Sequence, residues 1–193
     1  MENEIENLKR LLLSTTDENV KLGLTIWQNN AGLAITFSKN DRKHIYKRIA
    51  KNKELVLYCL ESDFPEPIQR IQKLELRHSN LKDLPASVAR LPYLNELDLR
   101  YNELQVVPEV VGKLKSLKKL ELGMNEFSQI PEEVFHLKNL RYLCFCSNSN
   151  FKLDMDSPIT QMAKIEVLCI SDDQLSERLK DKLKELRPQI VFK

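Results

Sequence analysis

The second half of the chain predicts an α/β solenoid: short parallel strands on one side, short helical turns on the other, and a helical cover in front. Three observations predict it. The apolar skeleton Ile71, Leu74, Leu76 and Leu81 returns at Leu94, Leu97, Leu99 and Leu104, and again at Leu117, Leu120, Leu122 and Phe127. It returns in part at Leu140, Leu143 and Phe145, and finally at Ile165, Leu168, Ile170 and Leu175. The first four copies start 23 residues apart and the last follows after 25, and a fixed period of this length marks stacked repeats. Within each copy two apolar residues alternate, as in Leu97 and Leu99, which places them on one face of a short strand. Pro85, Pro108 and Pro131 recur in one phase, where a fixed φ and a missing N–H suit the opening of a helical turn. A single repeat cannot bury its apolar face, but stacked strands roughly 4.8 Å apart make a continuous core.

The best copies are LNELDLRYNELQVVPEVVGKL (94–114) and LKKLELGMNEFSQIPEEVFHL (117–137). Their pattern, LxxLxLxxNxL followed by LPxxVxxL, resembles the leucine-rich repeat family over about residues 53–193. The resemblance implies an α/β leucine-rich repeat solenoid with strands on a concave face and short helical turns on a convex face. It also implies that Asn102, Asn125 and Asn148, all in one phase, form an internal ladder, each amide bonding the backbone of the neighbouring loop. Asn suits this because it carries both donor and acceptor. Ser79 replaces it in the first copy and Asp173 in the last, so the ladder is expected to weaken at both ends. The pairs Val88/Leu91, Val111/Leu114 and Val134/Leu137 are expected to point the convex turns inward. The fourth repeat has two extra residues and Asp156 where Pro is expected, so 150–158 is expected to bulge as a tolerated surface insertion.

Exposed solenoid ends need covers. Residues 1–52 are expected to be an α-helical N-terminal cap. Ile5, Leu8, Leu11 and Leu12 have helical spacing, and Val20, Leu24 and Trp27 share the face of a second helix. The run Ser38-Lys39-Asn40-Asp41 resembles a capping box with Asp in place of Glu, ahead of a third helix with Ile45 and Ile49. Residues 31–37 are ambiguous between helix and strand. Residues 53–175 are assigned to the repeats. The first of these is degenerate, with Leu55 and Leu57 in a strand, Cys59 buried beside them, and Phe64-Pro65 mimicking the Leu-Pro turn. Residues 176–193 form a C-terminal cap, a helix with the stripe Leu179, Leu183 and Leu186 and then a short strand at 190–192. The domain therefore reads as complete.

A net charge of +2 over 193 residues gives no broad bias towards nucleic acid. No stretch reaches the roughly 18 apolar residues of a membrane span. The start, MENEIENLKRLLL, has acids where a signal peptide has bases. A cytoplasmic monomer with four free thiols is expected.

Chemistry is sparse. No Walker loop, GxGxxG, HExxH or GxSxG is present. His44, His78 and His136 fall in different elements, so no triad is supported, and the chain is expected to be no enzyme, with no cofactor and no catalytic residue. The strand face is informative instead. Its central column reads Glu75, Asp98, Glu121, Cys144, Cys169, and the next reads Arg77, Arg100, Gly123, Cys146, Ser171. Beside that run His78, Tyr101, Met124, Ser147 and Asp172, and on the other flank Lys73, Glu96, Lys119, Tyr142 and Val167. Tyr, Met and Arg are enriched in interface cores. Tyr101, Met124 and Tyr142 are therefore candidate anchors, with Arg77 and Arg100 as orienting charges, for a protein partner on the concave face. Self-pairing of the Glu/Arg grid explains the charges equally well, at roughly 0–1 kcal/mol per exposed pair. Cys144, Cys146 and Cys169 converge and suggest, as an alternative, a metal- or redox-responsive protein. They lack a clear fourth ligand, and small residues filling a concave face account for them too.

Overall fold

Residues 2–30, 37–128, 130, 132–148 and 152–192 are described by the computed structural model. The chain divides into two compact units, one of Met1–Ile71 with Pro85–Leu91, the other of Gln72–Leu84 with Pro92–Lys193.

The repeat period becomes a parallel six-stranded sheet in the second unit. Its strands are β1 (Lys73–Glu75), β2 (Glu96–Asp98), β3 (Lys119–Glu121), β4 (Tyr142–Cys144), β5 (Val167–Cys169) and β6 (Val191–Phe192), paired in chain order. The predicted register is the observed one: Leu74, Leu97, Leu120, Leu143 and Leu168 stand side by side. All five are buried, as are Leu76, Leu99, Leu122, Phe145 and Ile170 two positions on. Slanted bonds such as Leu99 N–H to Glu121 O at 2.8 Å extend the pairing past the strand ends.

The Asn ladder runs through this core. The Asn102 amide donates to Leu76 O and Leu99 O, and its oxygen accepts from the N–H groups of Ser79 and Leu81. Asn125 donates to Leu99 O and Leu122 O and accepts from Leu104 N–H. Asn148 donates to Leu122 O and Phe145 O and accepts from Phe127 N–H. The carbonyls of Leu99 and Leu122 each receive two amides, one from their own repeat and one from the next. At the last rung the expectation fails: Asp173 is exposed, and buried Gln174 donates to Asn148 O and accepts from Ser171 N–H. Gln, standing one residue later, reaches the rung with its extra methylene.

Pro108 precedes a 3-10 turn, Glu109–Lys113, and the short helix α5 (Glu132–Phe135) occupies the same place one repeat later; α1 to α4 are described below. Val111, Leu114, Val134 and Leu137 are buried as predicted. Pro131 and residues 149–151 lie outside the described residues. In the fourth repeat Pro158 at the start of the turn Pro158–Gln161 takes the role expected at Asp156, and Ile159 and Met162 supply the buried pair. The two-residue insertion is thus absorbed before the turn. Helix α6 (Glu177–Leu186) is capped by Ser176, whose hydroxyl accepts from Leu179 N–H. Leu179 and Leu183 are buried, whereas Leu186, expected in the same stripe, is exposed at the last turn.

The first unit is helical: α1 (Glu2–Leu12), α2 (Asp17–Asn29), α3 (Lys39–Ala50) and α4 (Lys53–Glu61), with the 3-10 turn Ala86–Arg90 introduced by Pro85. The predicted faces of α1 to α3 are buried at Leu8, Leu12, Val20, Leu24, Trp27, Ile45 and Ile49. Trp27 is ringed by Phe37, Tyr46 and Phe64 at centroid distances of 5.6, 5.9 and 5.7 Å, an arrangement that adds to burial. Ser38 caps α3, accepting from Asp41 N–H and donating to the Asp41 carboxylate; the predicted box closes between side chains. That bond, together with Lys9, holds the Asp41 carboxyl below its usual value. The 31–36 segment lies outside the described residues.

The strand expected at Leu55 and Leu57 is instead α4. Asn52 caps it by accepting from Leu55 N–H while donating to Asp17. Leu55, Val56, Cys59 and Leu60 are buried and Leu57 is only half-buried. This is helical spacing, and it also moves Cys59 from the expected repeat into the helical core.

Candidate functional site

The strand face of the second unit carries the candidate residues in the predicted columns. Of its acidic column, Glu75 is exposed and pairs with Lys73 and Arg77 as an exposed grid would, whereas the other two acids do not. Asp98 and Glu121 are buried, at 5% and 6% exposure, beneath the basic side chains. Arg100 lies between them, 2.8 Å from Asp98 and 3.0 Å from Glu121; Arg77 reaches Asp98 at 3.3 Å and Lys119 reaches Glu121 at 2.6 Å. Self-pairing is therefore tighter than for exposed pairs. Burial pushes the Asp98 carboxyl up. The side-chain and backbone hydrogen bonds of Arg100 and the nearby charges outweigh it, so its pKa sits below the ordinary 3.8. A depressed carboxyl stabilises the fold above its unfolded value and loses that contribution as pH falls through the folded one. Arg100→Met is expected to cost about 1–2 kcal/mol at neutral pH, below a fully buried pair because Arg77 and Lys119 remain. Urea titrations should show the gap from the parent narrowing in acid.

The candidate anchors fall into two groups. Tyr101 and Met124 are both 44% exposed and occupy the same position in neighbouring repeats, just after β2 and β3. Tyr101 stacks on His78 of the preceding repeat, with centroids 4.3 Å apart. His78, Tyr101, Met124 and Ser147 all have left-handed backbones, with φ of 53°, 57°, 54° and 57°. Such a conformation costs a non-glycine residue about 1–2 kcal/mol. It is held by bonds to the next repeat, including Tyr101 N–H to Gly123 O and Met124 N–H to Cys146 O. Tyr142 is not part of this row. It opens β4 opposite Lys119, on the other flank, so the three anchors do not form one contiguous platform. It is half-buried, with the Lys119 ammonium 4.6 Å from its ring centroid.

Between the flanks lie the thiols. The sulfurs of Cys144 and Cys146 are 3.3 Å apart, and those of Cys144, Cys146 and Cys169 all fall within 4.8 Å of one another. Burial pushes the Cys144 and Cys146 thiols up, which disfavours the nucleophilic thiolate.

One feature of the helical unit had no sequence-level expectation. A cavity of about 710 Å³ is lined by Lys39, Arg42, Lys43, Lys47 and Arg70 around Tyr46 and Glu66. The Tyr46 hydroxyl donates to the Glu66 carboxylate at its wall. The basic spacing along α3 was the available signal. Among the described residues no helix is long and apolar enough to cross a membrane.

The family model for the leucine-rich repeat matches residues 69–127. A leucine-rich repeat protein of Leptospira interrogans is similar at 27% identity and a TM-score of 0.56, over 68% of this chain and 33% of that one. The Toll–Spätzle complex of Drosophila contains a chain similar in fold, at 18% identity and a TM-score of 0.54, over 67% of this chain and 17% of that one. The chain thus spans about one third of the length of the Leptospira protein. No curated protein matches it. The in-register leucine column, the Asn ladder and these likenesses together make the second unit a leucine-rich repeat solenoid, with residues 69–127 carrying the match to the leucine-rich repeat family.

Proposed function

We propose that this chain is a non-enzymatic protein-recognition module, a scaffold or adaptor that binds a protein partner on its concave strand face. In this reading it works as a monomer in the cytoplasm, with residues 1–52 belonging to a helical cap and 176–193 closing the other end. The observation that carries the reading is the exposed row of Tyr101, stacked on His78, and Met124. Their side chains are large and apolar, yet held outside the core on a strained, cross-braced backbone. Solenoids present such extended faces for binding, and exposed apolar patches commonly mark interaction sites. Tyr142 supplies a second anchor across the face. Arg77 and Arg100, already engaged with Asp98 and Glu121, orient the partner while restraining the acids.

Tyr101→Ala is expected to weaken partner capture by about 2 kcal/mol or more, as loss of a central anchor does. Tyr142→Ala should weaken it less, and Lys113→Ala on the turn side not at all. Quantitative pull-down from native lysate checks this, with melting temperatures to confirm intact folds. Capture abolished by turn-side substitutions but untouched by Tyr101→Ala and Tyr142→Ala would refute the assignment.

A further inference from the structure

Cys144, Cys146 and Cys169 are closer than their backbones require. Residues i and i+2 of a strand stand roughly 7 Å apart, yet the sulfurs of Cys144 and Cys146 approach to 3.3 Å. Parallel pairing sets Cys169 beside Cys144, and its sulfur joins the same group. The position that would crowd them from the preceding repeat is Gly123. A Cβ there would come 3.0 Å from the Cys146 sulfur and 3.6 Å from that of Cys144. Cys144 is buried while Cys146 and Cys169 are half-buried, so the group has a protein floor and a side open to solvent.

We propose that Cys144, Cys146 and Cys169 form a three-thiolate site for one soft, closed-shell cation, Zn²⁺ or Cu(I). A metal bonded to three sulfurs at roughly 2.3 Å needs sulfur–sulfur edges of roughly 4 Å. The present spacings bracket that value, so small side-chain rotations suffice. Thiolates select these ions over harder ones. Each thiol passes its proton to solvent as its sulfur–metal bond forms, and no electron is transferred. Cu(I) is satisfied by three sulfurs; Zn²⁺ takes a water on the open side as its fourth ligand. The site stands independently of partner binding.

The test uses the full chain, reduced, stripped of metal and kept free of air. It is titrated with Zn²⁺ and with Cu(I) in separate arms, each against a coloured competitor, and with Co²⁺ as a spectroscopic probe. One equivalent of Zn²⁺ or Cu(I) should bind, and Co²⁺ should give a thiolate-to-metal charge-transfer band. Both signals should vanish in the Cys144→Ser/Cys169→Ser double variant and persist in Cys59→Ser. Cys146→Ser, at a more exposed position, should weaken binding while circular dichroism stays that of the parent, which separates ligand loss from unfolding. Failure of both ions to bind the parent, or equal binding by a Cys144→Ser/Cys146→Ser/Cys169→Ser variant, would overturn the proposal.

Discussion

Removing residues 1–52 is expected to leave a chain that aggregates or loses its remaining N-terminal helix. The cut falls inside one hydrophobic core. Helices α2 and α3 both pack against α4, and Leu8, Leu12, Val20, Leu24, Trp27, Phe37, Ile45 and Ile49 would be lost from it. Leu55, Val56, Cys59, Leu60 and Ile68, now buried, would face water. Each large apolar side chain so exposed forfeits about 1.5–3 kcal/mol, and several together exceed the roughly 5–15 kcal/mol that stabilises an ordinary domain. Size-exclusion chromatography with light scattering, beside a thermal melt, is the check. A truncated chain that stays monomeric and melts like the parent would mean that residues 1–52 fold apart from α4.

Asn125→Ala is expected to destabilise by about 2–3 kcal/mol. Its oxygen is the acceptor for Leu104 N–H, which would be left buried and unpaired, and such a group costs about 1–3 kcal/mol. The carbonyls of Leu99 and Leu122 would each keep one amide, from Asn102 and Asn148, so the loss stays short of collapse. Asn80→Ala is the control. Asn80 is exposed but has φ 50°, a conformation Asn tolerates better than Ala, so a smaller cost of under about 1 kcal/mol is expected. Urea titrations of both variants decide the matter. Equal losses would place Asn125 outside the ladder.

The repeats were legible because their leucines obey two spacings at once, alternation within a strand and a fixed period between strands. That double constraint leaves one register, the one observed. Residues 53–61 were misjudged because Leu55 and Leu57 satisfy alternation equally well, while the buried set Leu55, Val56, Cys59 and Leu60 declares itself only when packed. The last rung was misplaced because spacing alone marked Asp173, whereas side-chain length decides that Gln174 reaches it. On the strand face the columns were legible but their depth was not. Asp98 and Glu121 are buried because Arg100 folds over both, a choice of rotamer that spacing does not encode. The same holds for the thiols, drawn together by side-chain rotation across a gap that Gly123 leaves open.

The most direct measurement is hydrogen exchange on the chain with and without its captured partner, read peptide by peptide. Partner binding is expected to slow exchange in the peptides carrying β2 to β4 and the residues just after them, 96–101, 119–124 and 142–147, and to leave 109–113 and 132–135 unchanged. Slowed exchange confined to those turn-side peptides, with the strand face untouched, would contradict recognition through the concave face.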